Sequence, residues 1–396
     1  MKTNWTVFSI VVVLTALMVT GCATALKRNP LPESFINEAQ IPYIPDARFW
    51  GDALPPHILE RLENEKFQIQ LNDPEARYEP VHYLALSGGG SNGAFGAGLL
   101  VGWTEEGTRP EFRVVAGIST GALSAPFAFI GPEYDVVLRK LYTTTSTDEI
   151  LKKRSVFALL KADSLTDTGP LRKILEDVID GTMVQKIAIE HKKGRRLFIG
   201  TTNLDAERPV IWNIGAIAAS GNPNALQLIR DVLLASAAIP GMFPPVYFKV
   251  EAYGQTFDEL HVDGGVASQV FLYPASLDLE WLKKKIGLKG EDHIFIIRNS
   301  RLEPEWTPVT PRVLSITKRS IEALIRTQGI GDLYRLYLGA QRDHLAFHLA
   351  YIPSDFRVDP KEEFDPNYMA DLYFLGYKMA KEGYPWGDAP PGFGPP

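Results

Sequence analysis

The chain has 396 residues, 45% apolar and 22% charged, which are the proportions of a globular protein able to bury a core and exclude a disordered chain, a collagen or a disulfide scaffold. Its 41 Lys and Arg against 47 Asp and Glu give a formal charge of −6, with no basic stripe of the kind a phosphate-backbone binder carries, so no nucleic-acid partner is expected. A single cysteine rules out an internal disulfide and any multi-cysteine metal site.

That cysteine is Cys22. Lys2 is followed by an apolar stretch from Val7 to Val19, broken only by Ser9 and Thr15. It has the length of a signal-peptide core and is short for a membrane-spanning helix. It ends in Val19-Thr20-Gly21-Cys22, and the segment resembles a bacterial lipoprotein signal, with valine where leucine is more usual. The resemblance implies that residues 1–21 are a signal peptide and that an acylated Cys22 holds the mature chain to a membrane. Ala23 in place of an aspartate points to the outer rather than the inner one.

Residues 22–75 hold Pro30, Pro32, Pro42 and Pro45 with little periodicity and read as a tether and N-terminal extension, with a short helix between Pro56 and Leu71. The main domain is expected over 76–385. Val81–Ser87 reads as a strand, followed by glycines and a helix over Ala94–Thr104. Phe112–Ala116 is a second strand, followed by Gly117–Gly121 and a helix to about Ile130. The stretch 132–194 is helical and more charged. Pro170 suits the first turn of a helix carrying Leu171, Ile174, Leu175, Val178 and Ile179, with Gly181 as its stop. Strands follow at Arg196–Thr202, Val210–Ile214, Tyr247–Ala252, Leu260–Val262 and His293–Arg298, with a helix at Ala225–Ala238. Asp365-Pro366 starts a last helix that Gly383 ends, and the Pro- and Gly-rich tail 386–396 lacks regular structure. Alternating helices and near-continuous apolar strands predict an α/β fold, a three-layer α/β/α sandwich around a largely parallel sheet.

Three motifs fall at strand ends. Gly88-Gly89-Gly90-Ser91-Asn92-Gly93 leaves backbone N–H groups uncovered at a helix start, where they attract negative charge. As a dinucleotide fingerprint it lacks the acid after the next strand, and as a P-loop it lacks the terminal Lys. An oxyanion site is the third reading, and a plain tight turn the fourth. Gly117-Ile118-Ser119-Thr120-Gly121 has the form of a nucleophile elbow, a sharp strand-to-helix turn that lifts a serine hydroxyl clear of the sheet. His261-Val262-Asp263-Gly264-Gly265 puts a carboxylate at a strand end before two glycines, an arrangement also common in plain turns. His344 and His348 have i,i+4 spacing, but no third metal ligand is spaced with them.

Taken together and in this order, the motifs resemble those of the patatin-like phospholipases. Ala235-Ser236-Ala237-Ala238-Ile239-Pro240-Gly241-Met242-Phe243-Pro244-Pro245 looks like the stretch that precedes that family's catalytic aspartate. The resemblance runs from about Val81 to Gly265. It implies a patatin-like sandwich in which Ser119 attacks an ester carbonyl and Asp263 is the base. It also implies that Gly88, Gly89 and Gly90 receive the oxyanion, that no cofactor or metal takes part, and that the substrate is a lipid or other ester. Gly93, Gly117, Gly121, Gly264 and Gly265 complete the motifs. Asn92 stands where the family often has Lys or Arg, and the backbone donors do not depend on it. Two alternatives remain: a Ser-Asp-His hydrolase triad using a late histidine such as His344, and an envelope scaffold without catalysis.

Overall fold

The computed structural model describes residues 28–55, 58, 78–153 and 164–393. The signal-like segment 1–21, Cys22 and, but for Ile58, the helix expected between Pro56 and Leu71 lie outside them.

Among the described residues nine strands make one sheet: β1 (Arg48–Trp50), β2 (Val81–Leu86), β3 (Val114–Ile118), β4 (Arg196–Asn203), β5 (Arg208–Asn213), β6 (Val246–Ala252), β7 (Gln255–Asp263), β8 (Asp292–Arg298) and β9 (Leu345–Tyr351). The centre, β4-β3-β2-β8-β9, is parallel throughout. Antiparallel strands close the other side: β5 on β4, β1 on β5, and the β6–β7 hairpin, whose end also pairs with β4. The fold is the expected α/β class, with a parallel core and antiparallel margins.

Both faces of this sheet are buried, which is why its strands read as apolar runs. Leu84, Leu86, Val115 and Ile297 face one core. That layer contains α1 (Gly93–Glu106), α2 (Thr120–Ile130), α3 (Asp135–Thr144), α4 (Gly169–Val178), α5 (Gly181–Lys192), α6 (Ile214–Ala219) and α7 (Ala225–Ser236). Tyr83, Ala85, Ala116, Ile294 and Ile296 face the other core. It is covered by α8 (Leu279–Ile286) and the C-terminal half of α9 (Val313–Arg342), through Leu333, Leu336 and Ala340. The last helix, α10 (Pro366–Lys381), returns to the first layer and packs backbone to backbone on α1, because Gly98 and Gly102 put no side chain between them and the carbonyls of Tyr373 and Tyr377.

The expected stop at Gly181 is instead a start. The helix beginning near Pro170 ends at Val178, and Gly181 opens α5 because the Asp180 carboxylate caps it, accepting the Met183 N–H at 2.8 Å. Residues 28–55 lie on the domain. Arg28 bridges Asp205 and Asp258, and Arg48 on β1 pairs with the buried Glu259. Beyond Pro385 the chain stays docked, with Gly387 and Leu349 exchanging backbone hydrogen bonds of 2.8 and 2.9 Å and Trp386 packed on Trp103 and Phe295.

Candidate active site

Ser119 sits between β3 and α2 with φ 54° and ψ −124°, a conformation L-residues rarely adopt and one that costs about 1–3 kcal/mol unless its surroundings hold it. The hold is visible. The Ser119 N–H donates to Ser236 Oγ at 3.0 Å, and that hydroxyl donates to the Gly200 carbonyl at 2.6 Å. A side chain on Gly121 would run into the carbonyls of Leu86 and Ser87, so the elbow closes only with glycine there. From α3, the Tyr142 hydroxyl lies 2.7 Å from Thr120 Oγ1 and donates to the Thr120 carbonyl at 3.0 Å, fixing the residue after Ser119.

Asp263 ends β7. Its N–H donates to the Ala238 carbonyl at 3.0 Å, and its carboxylate accepts the Gly265 N–H at 2.7 Å. Burial pushes its pKa up to about 6, against the pull of the facing Ser119 side chain and the Gly265 N–H. Ser119 and Asp263 are both almost wholly buried. A carboxylate with a pKa near 6 is a far better match to a neutral-pH proton transfer than an ordinary aspartate.

The glycine loop meets them. Gly89 has φ 159° and Gly90 φ 57°. The Gly88 N–H is already given to the Gln269 carbonyl at 3.0 Å, so of the three expected donors only those of Gly89 and Gly90 remain uncommitted among the described residues. Asn299, just past the end of β8, braces the loop, its N–H donating to Ser87 Oγ at 2.8 Å and its side-chain amide to the Ser87 carbonyl at 2.9 Å. Asn92 accepts the Tyr368 hydroxyl at 2.5 Å, which ties the loop to α10.

Gly90 and Ser119 line a narrow cavity of about 90 Å³. Its walls are apolar: Leu123 and Phe127 of α2, Leu171, Ile174, Leu175 and Val178 of α4, with Phe243, Phe364 and Met369. The apolar stripe of α4 thus lines this space as well as packing against the core.

None of the histidines singled out in the sequence joins Ser119 and Asp263. His261 is fully buried, its ring between Thr201 Oγ1 at 2.9 Å and Glu259 at 3.1 Å. Burial lowers its pKa although Glu259 opposes this. His344 is exposed, 3.9 Å from Glu280, while His348 lies on β9, 3.1 Å from His293. The i,i+4 pair therefore does not converge, because a strand, not a helix, carries His348.

Sequence reasoning missed Ser236, Asn299, Tyr142, Gln269 and Tyr368. Only Ser236 had a signal, as the one hydroxyl in the small-residue run Ala235–Ala238.

Residues 84–276 match the family model for patatin-like phospholipases. The patatin-like region contains the glycine loop, Ser119, Ser236 and Asp263, while β8, β9, α9 and α10 lie beyond it. No curated protein matches the chain. Among solved structures, the crystal structure of VipD from Legionella pneumophila is similar at 14% identity and a TM-score of 0.36, covering 77% of this chain and 67% of that one. That likeness is too distant to transfer anything to this chain.

Proposed function

We propose that this protein is a serine lipid acyl hydrolase working through a Ser119–Asp263 dyad. The observation that carries the reading is the meeting of three things: a serine held on a strained elbow, a buried carboxylate facing it with its pKa raised to about 6, and an apolar cavity lined in part by that serine. The patatin-family match supports a lipid substrate.

The acyl chain enters the apolar cavity, and the ester carbonyl rests against the glycine loop. Ser119 Oγ attacks the carbonyl carbon while its proton passes to Asp263. The tetrahedral oxyanion receives the N–H groups of Gly89 and Gly90, of a kind worth about 2.7–4 kcal/mol each in the barrier. Collapse breaks the ester C–O bond, and Asp263 returns the proton to the departing alcohol. Water then gives a proton to Asp263 and attacks the acyl-serine, and the proton returns to Ser119 as the fatty acid leaves. No step needs a histidine.

The lipoprotein-like N-terminus supports a membrane-anchored enzyme held through Cys22, at the outer membrane. Two or more acyl chains on Cys22 would make the attachment stable, where one is marginal. Mass spectrometry of the mature N-terminus tests the anchor, and an unmodified Cys22 refutes it. Hydrolysis of a panel of phospholipids and short esters, with Ser119→Ala as control, tests the activity; a wild-type protein inert on all of them refutes it.

A further inference from the structure

The N-terminal half of α9 is amphipathic the wrong way round. Val313, Ile316, Ile321, Leu324 and Ile325 share one face, roughly half the circumference at about 100° per residue, and Lys318, Arg319, Glu322 and Arg326 share the other. In a helix packed on its own domain the apolar face turns inward. Here all five apolar residues are exposed, Val313 at 80% and Leu324 at 70%, while Ser315, Arg319 and Arg326 on the polar face are half-buried. The loop before the helix adds Trp306, 87% exposed, and Val309. A contiguous apolar face of this kind marks a surface with a partner.

Two further facts say which partner. The first is charge: between residues 306 and 325 stand Arg312, Lys318 and Arg319 against Glu322 alone, in a chain whose net charge is −6. The second is position. One turn past Ile325, Gln328 donates to the Val266 carbonyl at 3.2 Å and accepts from Gln269 Nε2 at 3.2 Å. Gln269 in turn donates to the Gly265 carbonyl at 2.6 Å and accepts the Gly88 N–H. The apolar face thus begins beside the Asp263-Gly264-Gly265 turn and runs outward for roughly 20 Å, at about 1.5 Å per residue. Basic residues on one face, exposed aliphatics on the other and a tryptophan at the tip are the composition of a helix that lies in a bilayer interface.

We infer that residues 306–325 dock the protein on a negatively charged phospholipid bilayer, seating the catalytic turn at the lipid surface. The inference deepens the lipid acyl hydrolase reading and rests on it for its purpose. The contact is separate from any attachment through Cys22, since it involves a face of the folded domain next to the site.

The test uses the full-length protein. Its tryptophan fluorescence is compared with that of Trp306→Phe on vesicles of brominated phosphatidylcholine and phosphatidylglycerol, three to one; the difference isolates Trp306. The inference predicts strong quenching of that difference signal, and weaker quenching on vesicles of brominated phosphatidylcholine alone. An unquenched signal, or equal quenching on both, overturns it. In a second arm, Ile321→Gln/Leu324→Gln changes only exposed side chains. It should lower hydrolysis of vesicle phospholipid by about tenfold or more while leaving turnover of a soluble short-chain ester within about twofold. An unchanged vesicle rate overturns docking, as does sedimentation showing a wild-type dimer that the double variant dissociates, since the face would then belong to a second copy. If wild type hydrolyses neither substrate, the hydrolase reading fails, while the quenching arm still decides the docking.

Discussion

Ser119 and Asp263 meet because the strands that carry them end head to head on one edge of β4: Ile118, the last residue of β3, is paired with Gly200, and Asp263, the last residue of β7, with Thr201. One strand arrives parallel to β4 and the other antiparallel. The two residues therefore close on each other from opposite directions, on neighbouring positions of a buried strand. Ser236 sits over the junction, joined to the Ser119 N–H and the Gly200 carbonyl at once. The pair is placed by sheet register, and its precision comes from backbone pairing.

Asp263 should set the acid limb of the activity profile. Only the ionised carboxylate accepts the Ser119 proton, so kcat/KM should fall as pH drops through about 6. His261→Gln should leave that limb where it is. A limb that vanishes with His261→Gln would assign the titration to the imidazole instead.

The same shift has a stability consequence. The native carboxyl has a pKa of about 6 against an ordinary 3.8, so the folded state holds this proton more tightly than the unfolded state. Folding is therefore favoured below pH 3.8 and progressively penalised as pH rises to 6, by about 3 kcal/mol at about 1.4 kcal/mol per pKa unit. Asp263→Asn removes the charge and can still accept the Gly265 N–H. Its melting temperature should exceed that of wild type at pH 8 and match it at pH 4. Equal melting temperatures at both pH values would mean that the carboxylate is not desolvated.

Gly90→Ala and Gly89→Ala should fail differently. A methyl on Gly89 would collide with the Asn299 carbonyl, so that variant should lose stability as well as activity. At Gly90 the space is open, with Glu363 at 3.9 Å as the nearest contact. The strain of φ 57° and a methyl beside the oxyanion should lower kcat by roughly 10²-fold with KM little changed. A rise in KM at constant kcat would make the loop a binding element only.

The apolar cavity should select acyl length. Ile174→Trp narrows it from α4 and leaves Ser119, Asp263 and the glycine loop unsubstituted. Turnover of long-chain esters should drop about tenfold or more, and that of a two- to four-carbon ester should hold within about twofold. A parallel loss on both would place the acyl chain elsewhere.

The strap formed by residues 28–55 should matter for stability. Arg48→Ala leaves Glu259, whose pKa burial would raise but which Arg48 and His261 hold at about 2, as a buried charge with one partner fewer. Losing one member of such a pair costs about 3–5 kcal/mol. Urea unfolding should show that loss, and a change below about 1 kcal/mol would mean the strap is loosely held.

The sequence made legible what depends on local pattern. Gly117–Gly121 could be read because an elbow needs glycine at fixed offsets, and Val81–Ser87 because a doubly covered strand must be apolar on both faces. What depended on distant partners stayed hidden. Asn299 and Tyr368 lie 200 residues and more from the loop they brace. Nothing near Gly88 foretold that Gln269 would take its N–H. β9 was overlooked since His344 and His348 suggested a helical spacing, and α9 since the apolar residues of its N-terminal half do not face the core. Gly181 misled because glycine after an apolar stripe is the usual stop, while the neighbouring Asp180 makes it a start.

The most direct measurement is peptide mapping of the adduct formed with a fluorophosphonate that carries a long alkyl chain, in parallel with turnover. The account predicts a single adduct on Ser119. It predicts no adduct in Ser119→Ala, and in Asp263→Asn a labelling rate and turnover each reduced by about 10³-fold or more, with the double variant little worse because the pair acts as a unit. His261→Gln, His344→Gln and His348→Gln should each stay within a few-fold of wild type. An adduct on another residue, or a folded histidine variant as inert as Ser119→Ala, would contradict the dyad.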